Sequence, residues 1–374
     1  MADTGIAELK IGGTSYGGWT DVTVEAGIEQ ISGAFKVGVT DRWADQPVAR
    51  PIRPDSAVQL LLDGDPVVTG WVDEVNTDAD DRSHSMQIDG RDRTCDLVDC
   101  SAIYKTGQWR GVTLERIVRD LVAPYDITVT VNADVGATFP SFNLQEGETV
   151  FQAMDRAARM RAVLLTSDSN GGLLLTRAAN APIATRLVFG ENIKKIAYRE
   201  SLKERFSEYR VKGQGKGNMN VYGKAVRGYA SATDSALTRY RPLIILSEKQ
   251  AGQDFSLQQR IDWERDVRIG RGTRVTITVQ GWSHADGLWR PNTLVSVQAP
   301  EFDISDQLLI AKIRYLLNER TGTTSELELA DPRAFALLSG VSGTSLNRAI
   351  RGADGVEVRR RNVANIGRHK RSSQ

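Results

Sequence analysis

Through the first hundred residues apolar and polar positions alternate with period two. Val22-Thr23-Val24 and Phe35-Lys36-Val37-Gly38-Val39 each put every second side chain on one face, the pattern of a half-buried strand. Leu9-Lys10-Ile11 runs into Gly12-Gly13, and Asp63-Gly64 separates two apolar runs, so both places read as tight turns. Between 101 and about 180 the period changes. Leu114, Ile117, Val118, Leu121 and Val122 line one face of a helix that Thr113 can cap and Pro124 can stop. A second helix is expected from about Val150 to Met160, with Val150, Phe151, Met154, Ala157 and Ala158 inward. Two apolar runs around Asn170-Gly171 then read as a hairpin. From 181 to about 335 strands return, most cleanly at Arg274 to Gln280, where Val275, Ile277 and Val279 share a face. The stretch from Gly213 to Tyr240 is poor in apolar residues and reads as an inserted loop, followed by a short helix over Leu257 to Val267.

A strand-turn-strand plan occurs twice. Arg53-Pro54-Asp55-Ser56 leads one copy and Arg290-Pro291-Asn292-Thr293 the other. Each continues into an apolar run (Val67 to Val72, Leu308 to Ile313) and closes on an alternating strand (Ser85 to Asp89, Ser325 to Leu329), with an offset that drifts from 237 to 241 residues. Four segments follow: a β domain over 1–100, an α+β domain over 101–180, a second β domain over 181–335 with an insertion at about 213–265, and an extended basic tail over 336–374. Three subunits with two similar faces each would present six, a route from threefold to sixfold symmetry.

Charge adds a constraint. Lys and Arg number 48 against 47 Asp and Glu, a net +1, without the basic excess of a chain built to grip nucleic acid. The exception is residues 340–374, where eight basic and two acidic residues leave +6. Within that stretch Arg359, Arg360, Arg361, Val363 and Ile366 read as a segment that docks on a partner, or as a solvated end. The start of the chain lacks the basic and apolar regions of a signal peptide, and no apolar run is long enough to span a bilayer. Folding in a reducing cytoplasm and no membrane insertion are the expectation.

Candidate chemistry is sparse. His84, His284 and His369 are scattered and lack metal-ligand spacing. Cys95 and Cys100, five residues apart, fit neither a redox nor a zinc pattern and are expected as small buried hydrophobes. Gly213-Gln214-Gly215-Lys216-Gly217-Asn218 lacks the ending of a phosphate loop. Trp71 and Trp282, inside alternating strands, are expected in the core. No catalytic residue, metal or cofactor is assigned. The alternative to a structural role is a peptidoglycan hydrolase, since the separation of two carboxylates in space is not legible in sequence; a zymogram separates the two.

Five strings in order resemble one family. They are Ile11-Gly12-Gly13 with Tyr16, Gly18 and Trp19; Gly70-Trp71-Val72-Asp73; Gly90-Arg91-Asp92-Arg93-Thr94 continuing through Asp96-Leu97-Val98-Asp99-Cys100-Ser101; Glu204-Arg205-Phe206-Ser207-Glu208-Tyr209 with Val211 and Gly213-Gln214; and Gly281-Trp282 with Gly287-Leu288-Trp289 and Pro291-Asn292. Together they resemble the baseplate hub proteins of Mu-like contractile-tailed phages, relatives of the T-even phage hubs and of the first part of type VI secretion VgrG spikes. The resemblance implies a mainly β fold with two similar β-barrel domains and a smaller α+β domain. It implies a structural homotrimer that joins a sixfold tail tube, or its initiator, to a threefold central spike. Baseplate wedge proteins are implied as further partners, and DNA as passing through the lumen without specific binding. Spike and lytic functions are expected on separate chains.

Overall fold

A computed structural model of the chain describes residues 5–39, 52–79, 84–214, 227–248 and 257–336. The first part is seven strands: β1 (Ala7–Ile11), β2 (Thr14–Tyr16), β3 (Asp21–Gly27), β4 (Ala34–Val39), β5 (Ala57–Leu62), β6 (Asp65–Ala79) and β7 (His84–Asp92). The β1–β2 turn holds Gly12 and Gly13 at φ 55° and 81°, and the β5–β6 turn holds Asp63 and Gly64 at 52° and 88°. Two consecutive left-handed residues match the right-handed strand twist, which is why Gly-Gly and Asp-Gly stand there.

The middle part holds α1 (Cys95–Asp99), β8 (Gln108–Trp109), α2 (Leu114–Val122), β9 (Val129–Val131), β10 (Phe142–Asn143), α3 (Val150–Arg159), β11 (Leu164–Ser167) and β12 (Leu173–Thr176). Thr113 caps α2 by accepting from the Arg116 amide. Thr149 and Gln152 form a reciprocal capping box at α3. Ala153 takes a buried place on α3 and Phe151 is only partly buried, so the inward face is turned slightly from the one expected. Both helices pack their apolar faces into one cluster with Trp109, Phe139, Phe142 and the β11–β12 hairpin.

The last part holds β13 (Pro182–Val188), β14 (Lys195–Glu200), β15 (Glu208–Gln214), β16 (Arg227–Thr233), β17 (Pro242–Glu248), α4 (Leu257–Arg271), β18 (Thr273–Gln280), β19 (Ser283–His284), β20 (Gly287–Leu288), β21 (Leu294–Ala299), β22 (Ile304–Asn318) and β23 (Gly322–Ala330). The stretch expected as an inserted loop thus carries structure. β15 pairs antiparallel with β16 and parallel with β17, and Ile261 of α4 packs on Tyr209, Val211, Ala230 and Ala232. Its inward residues on β16 are alanines, too small to stand out in a hydropathy pattern but small enough to admit a helix. The buried pair Arg205–Asp234, at 2.8 Å, ties the segment before β15 to the end of β16.

Thirteen strands form one sheet ordered β14-β18-β23-β22-β3-β4-β7-β6-β5-β1-β2, with β21 joining β22 to β13. Two six-strand groups share an order within it: β3-β4-β7-β6-β5-β1 and β14-β18-β23-β22-β21-β13. The last pair differs, since β1–β5 is antiparallel and β13–β21 parallel. Both long strands have 15 residues, and each bulges against its closing strand, between Val72 and Glu74 and between Ile310 and Lys312. Asp55 and Asn292 hold φ 70° and 58° in the matching turns, and their amides donate to the Val72 and Ile310 carbonyls.

These pairings set the offset at 237 in the turn, 238 along the long strands (Val72 to Ile310) and 239 in the closing strands (Ile88 to Leu327). The apolar runs beginning at Val67 and Leu308, expected to correspond, are therefore three residues out of register. The strands join as an open sheet, with no closed barrel among the described residues. One core serves both groups, from Leu9, Val24 and Val37 to Ile277, Ile313 and Leu327. Trp282 lies in it at 1% exposure, whereas Trp71 is only half-buried. Cys95 is buried, but Cys100 is exposed and departs from the expectation for both.

Candidate assembly surface

The two strand groups meet at a seam. β22 runs antiparallel to β3 from Lys312 opposite Gly27 to Leu317 opposite Val22. Arg314 stands opposite Glu25, and Lys312 lies diagonal to it on the same face. Lys312 Nζ lies 2.6 Å from Glu25 Oε2, and Arg314 Nε donates to Glu25 Oε1 at 2.6 Å. Burial alone would raise the Glu25 carboxyl, but the bonds from Lys312 and Arg314 outweigh it and hold the group below the ordinary carboxylate value. On the inner face Ile313, Tyr315, Val22 and Val24 are buried, and the Tyr315 hydroxyl donates to the Trp289 carbonyl.

A folded-state value below the unfolded one means that Glu25 stabilises the fold above the ordinary carboxylate pKa. That stability is lost as the pH falls through the lowered value. Glu25→Gln should therefore lower the unfolding midpoint at neutral pH, change it little near pH 3 and so flatten its acid-side fall, as thermal melts at pH 3 to 7 would read.

Among the described residues the sheet leaves β2, β13, β14 and part of β6 with an open edge, and the last two matter here. β14 pairs only with β18, and the second half of β6, from Glu74 onward, pairs only with β7. Both are solvent-facing. On β14 only Ile196 is partly covered, and Tyr198 is 40% exposed. On β6, Glu74, Asn76, Thr77 and Asp78 are exposed and Val75 half-buried. Natural proteins blunt long free edges, because an open row of N–H and C=O groups templates pairing with another chain.

The residues singled out in sequence for partner binding, Arg359, Arg360, Arg361, Val363 and Ile366, lie outside the described residues. His284 packs against Trp289 and contacts Thr185, and burial lowers its pKa. Among the described residues no group of three or more His, Cys, Asp or Glu is placed to hold a metal. The seam residues Glu25, Lys312 and Arg314 escaped sequence reasoning. Their signal was alternating charge on two strands 290 residues apart, which means nothing until the register is known.

Comparison with known proteins places the chain in a family. Residues 6–92 match the Mu phage baseplate assembly protein GpP-like N-terminal domain, residues 94–177 the baseplate hub protein gp44-like second domain, and residues 254–338 the GpP fourth domain. The chain is 36% identical over 337 residues to the baseplate hub protein gp44 of Escherichia phage Mu, covering 87% of this chain and 88% of that protein. It is similar to the crystal structure of a 43 kDa tail protein from prophage MuSo2 of Shewanella oneidensis, with TM-score 0.77, 32% identity, and coverage of 89% and 100%. The fold alone is shared with the E. coli c3393 protein, a type VI secretion component described as similar to the T4 tail proteins gp27 and gp5, with TM-score 0.50, 9% identity, and coverage of 86% and 76%. The strand-repeated chain therefore belongs to the Mu-type phage baseplate hub proteins, structural components of the virion tail.

Proposed function

We propose that three copies of this chain form a ring whose six strand groups stand in pseudo-sixfold order, joining the sixfold tail tube or its initiator to the threefold central spike. The repeated strand order within one sheet carries this reading, because it supplies two similar units per chain. In the ring each unit would curl into a barrel-like domain, with domains over 1–100, 101–180 and 181–335 and the basic tail over 336–374 outside them. DNA would pass through the centre on ejection, past a chain whose net charge of +1 gives phosphates little to hold. Assembly would take place in the host cytoplasm, with wedge proteins around the ring. The tail with Arg359, Arg360, Arg361, Val363 and Ile366 would dock on the spike or on a neighbouring hub subunit.

Electron microscopy of the purified protein tests the architecture. End-on views should show six lobes around a hole, with threefold symmetry at finer detail. Three separate lobes without a closed ring would overturn it. Truncation after Phe335 should abolish capture of the spike in a pull-down while leaving the ring intact.

A further inference from the structure

The seam and the two free edges are related by the repeat. Strand pairing makes β22 equivalent to β6, with Lys312, Arg314 and Leu316 matching Glu74, Asn76 and Asp78. It makes β3 equivalent to β14: Val24 opposite Phe35 corresponds to Tyr198 opposite Val275, so Glu25 matches Arg199 and Val22 matches Ile196. The structure contains β22 paired with β3. The equivalent pair, β6 with β14, is the one whose members are both left open.

Resting on the ring reading above, we infer that the second half of β6 pairs antiparallel with β14 of a second copy of this chain. The seam register, carried over, sets Asn76 opposite Arg199, Thr77 opposite Tyr198 and Asp78 opposite Ala197. Eight strands of each chain, from β14 through β6, would then run on into the next chain, and three copies would close these strands into one continuous ring.

Charge says that the two edges are built for each other. On β6 the face that carries Asn76 also carries Glu74 and Asp78; on β14 the face that carries Arg199 also carries Lys195. Arg199 would sit between the two carboxylates as its diagonal neighbours. The polarity is the reverse of the internal seam, where β22 is basic (Lys312, Arg314) and β3 carries the acid, Glu25. The reversal guards against wrong joins. β22 against a foreign β14 would set Lys312 and Arg314 beside Arg199, and β6 against a foreign β3 would set Glu74 and Asp78 beside Glu25. Only the alternating order pairs opposite charges throughout.

The inner face agrees. Val22 and Val24 are each 1% exposed under β22, while at the same places Ile196 is partly covered and Tyr198 40% exposed. On the same face of the facing strand Thr77 is exposed and Val75 half-buried, where Tyr315 and Ile313 are buried. These are core positions awaiting a strand.

Cysteine pairs test the register. In a Cys100→Ser background, Asn76→Cys with Arg199→Cys, and separately Thr77→Cys with Tyr198→Cys, are oxidised mildly and run on non-reducing gels. Opposite residues alternate between wide and close antiparallel spacing, about 5.5 and 4.5 Å, both within disulfide reach, so at least one pair should lock a covalent trimer. Asn76→Cys with Ala197→Cys, about 7–8 Å apart as a diagonal, should not. Glu74→Arg should raise the concentration at which the trimer dissociates by about tenfold or more, and adding Arg199→Glu should recover most of it. A trimer by mass that forms neither disulfide and ignores the charge reversal overturns the strand pairing and leaves the ring reading standing. A protein with no trimer and no cross-link overturns both.

Discussion

Gly90→Ala should lower the unfolding free energy by about 3 kcal/mol or more, and Gly70→Ala by at least as much, which makes these among the costliest added methyl groups in the described residues. A Cβ on Gly90 would lie 2.3 Å from the Trp71 carbonyl oxygen and 2.5 Å from the Phe35 ring. On Gly70 it would lie 2.0 Å from the Arg91 carbonyl oxygen and 2.5 Å from the Asp92 Cα. These obstacles are mostly backbone of the paired strand, so the β6–β7 ladder would have to part. The glycines flank the bulge at Val72 and Glu74, where the long strand bends and close approach is the requirement. Gly38→Ala is the control: its Cβ meets nothing nearer than 3.6 Å, and the change should stay within about 1 kcal/mol. Urea unfolding of the three variants reads the difference, and equal losses at Gly38 and Gly90 would contradict it.

Asp92→Ala should cost about 3–5 kcal/mol, because it strands buried donors rather than removing one contact. Asp92 is 2% exposed and accepts from the Gly33 amide at 2.5 Å, the Thr94 amide at 2.9 Å, the Thr94 hydroxyl at 2.5 Å, the Ser167 hydroxyl at 2.7 Å and the Ser32 hydroxyl at 3.3 Å. Burial pushes the carboxyl up against the pull of these donors, with a net rise. The carboxylate ties β7 and the segment before β4 to the β11 hairpin, so its loss should loosen the middle domain from the sheet. Hydrogen exchange should show faster exchange at Gly33 and Thr94 first. Ser167→Ala, which removes a single hydroxyl donor, should cost about 1 kcal/mol. A loss as small for Asp92→Ala would contradict the account.

The parts of the fold that were legible are those whose chemistry is local. Gly12-Gly13, Asp63-Gly64 and Asn170-Gly171 fixed three hairpins, and Thr113 fixed the start of α2, because turns and caps need particular residues at particular places. The repeat was legible at Arg53-Pro54-Asp55 and Arg290-Pro291-Asn292, where a left-handed residue constrains the choice. It blurred along the strands because packing can be met in more than one way. Phe35 lies opposite Gly90 in the first group, while Val275 lies opposite Leu329 in the second. Large-plus-nothing and medium-plus-medium fill similar space, and the exchange erases identity while keeping the fold.

The assembly surface was the least legible. Glu25, Lys312 and Arg314 are ordinary surface charges until β22 is known to lie on β3, and that pairing joins residues almost a whole chain apart. Glu74, Asp78, Lys195 and Arg199 gain meaning one step later, once the seam supplies a template for them. The strands inside the expected loop were hidden for another reason: Ala230 and Ala232 bury little apolar area, and the register with β15, not their hydropathy, holds them.

The central claim is that two like units per chain serve a threefold ring, and solution mass tests it most directly. Light scattering over a concentration series should find a species near three times the 41.1 kDa chain mass, growing with concentration at the expense of monomer. A stable dimer across the series would contradict the account.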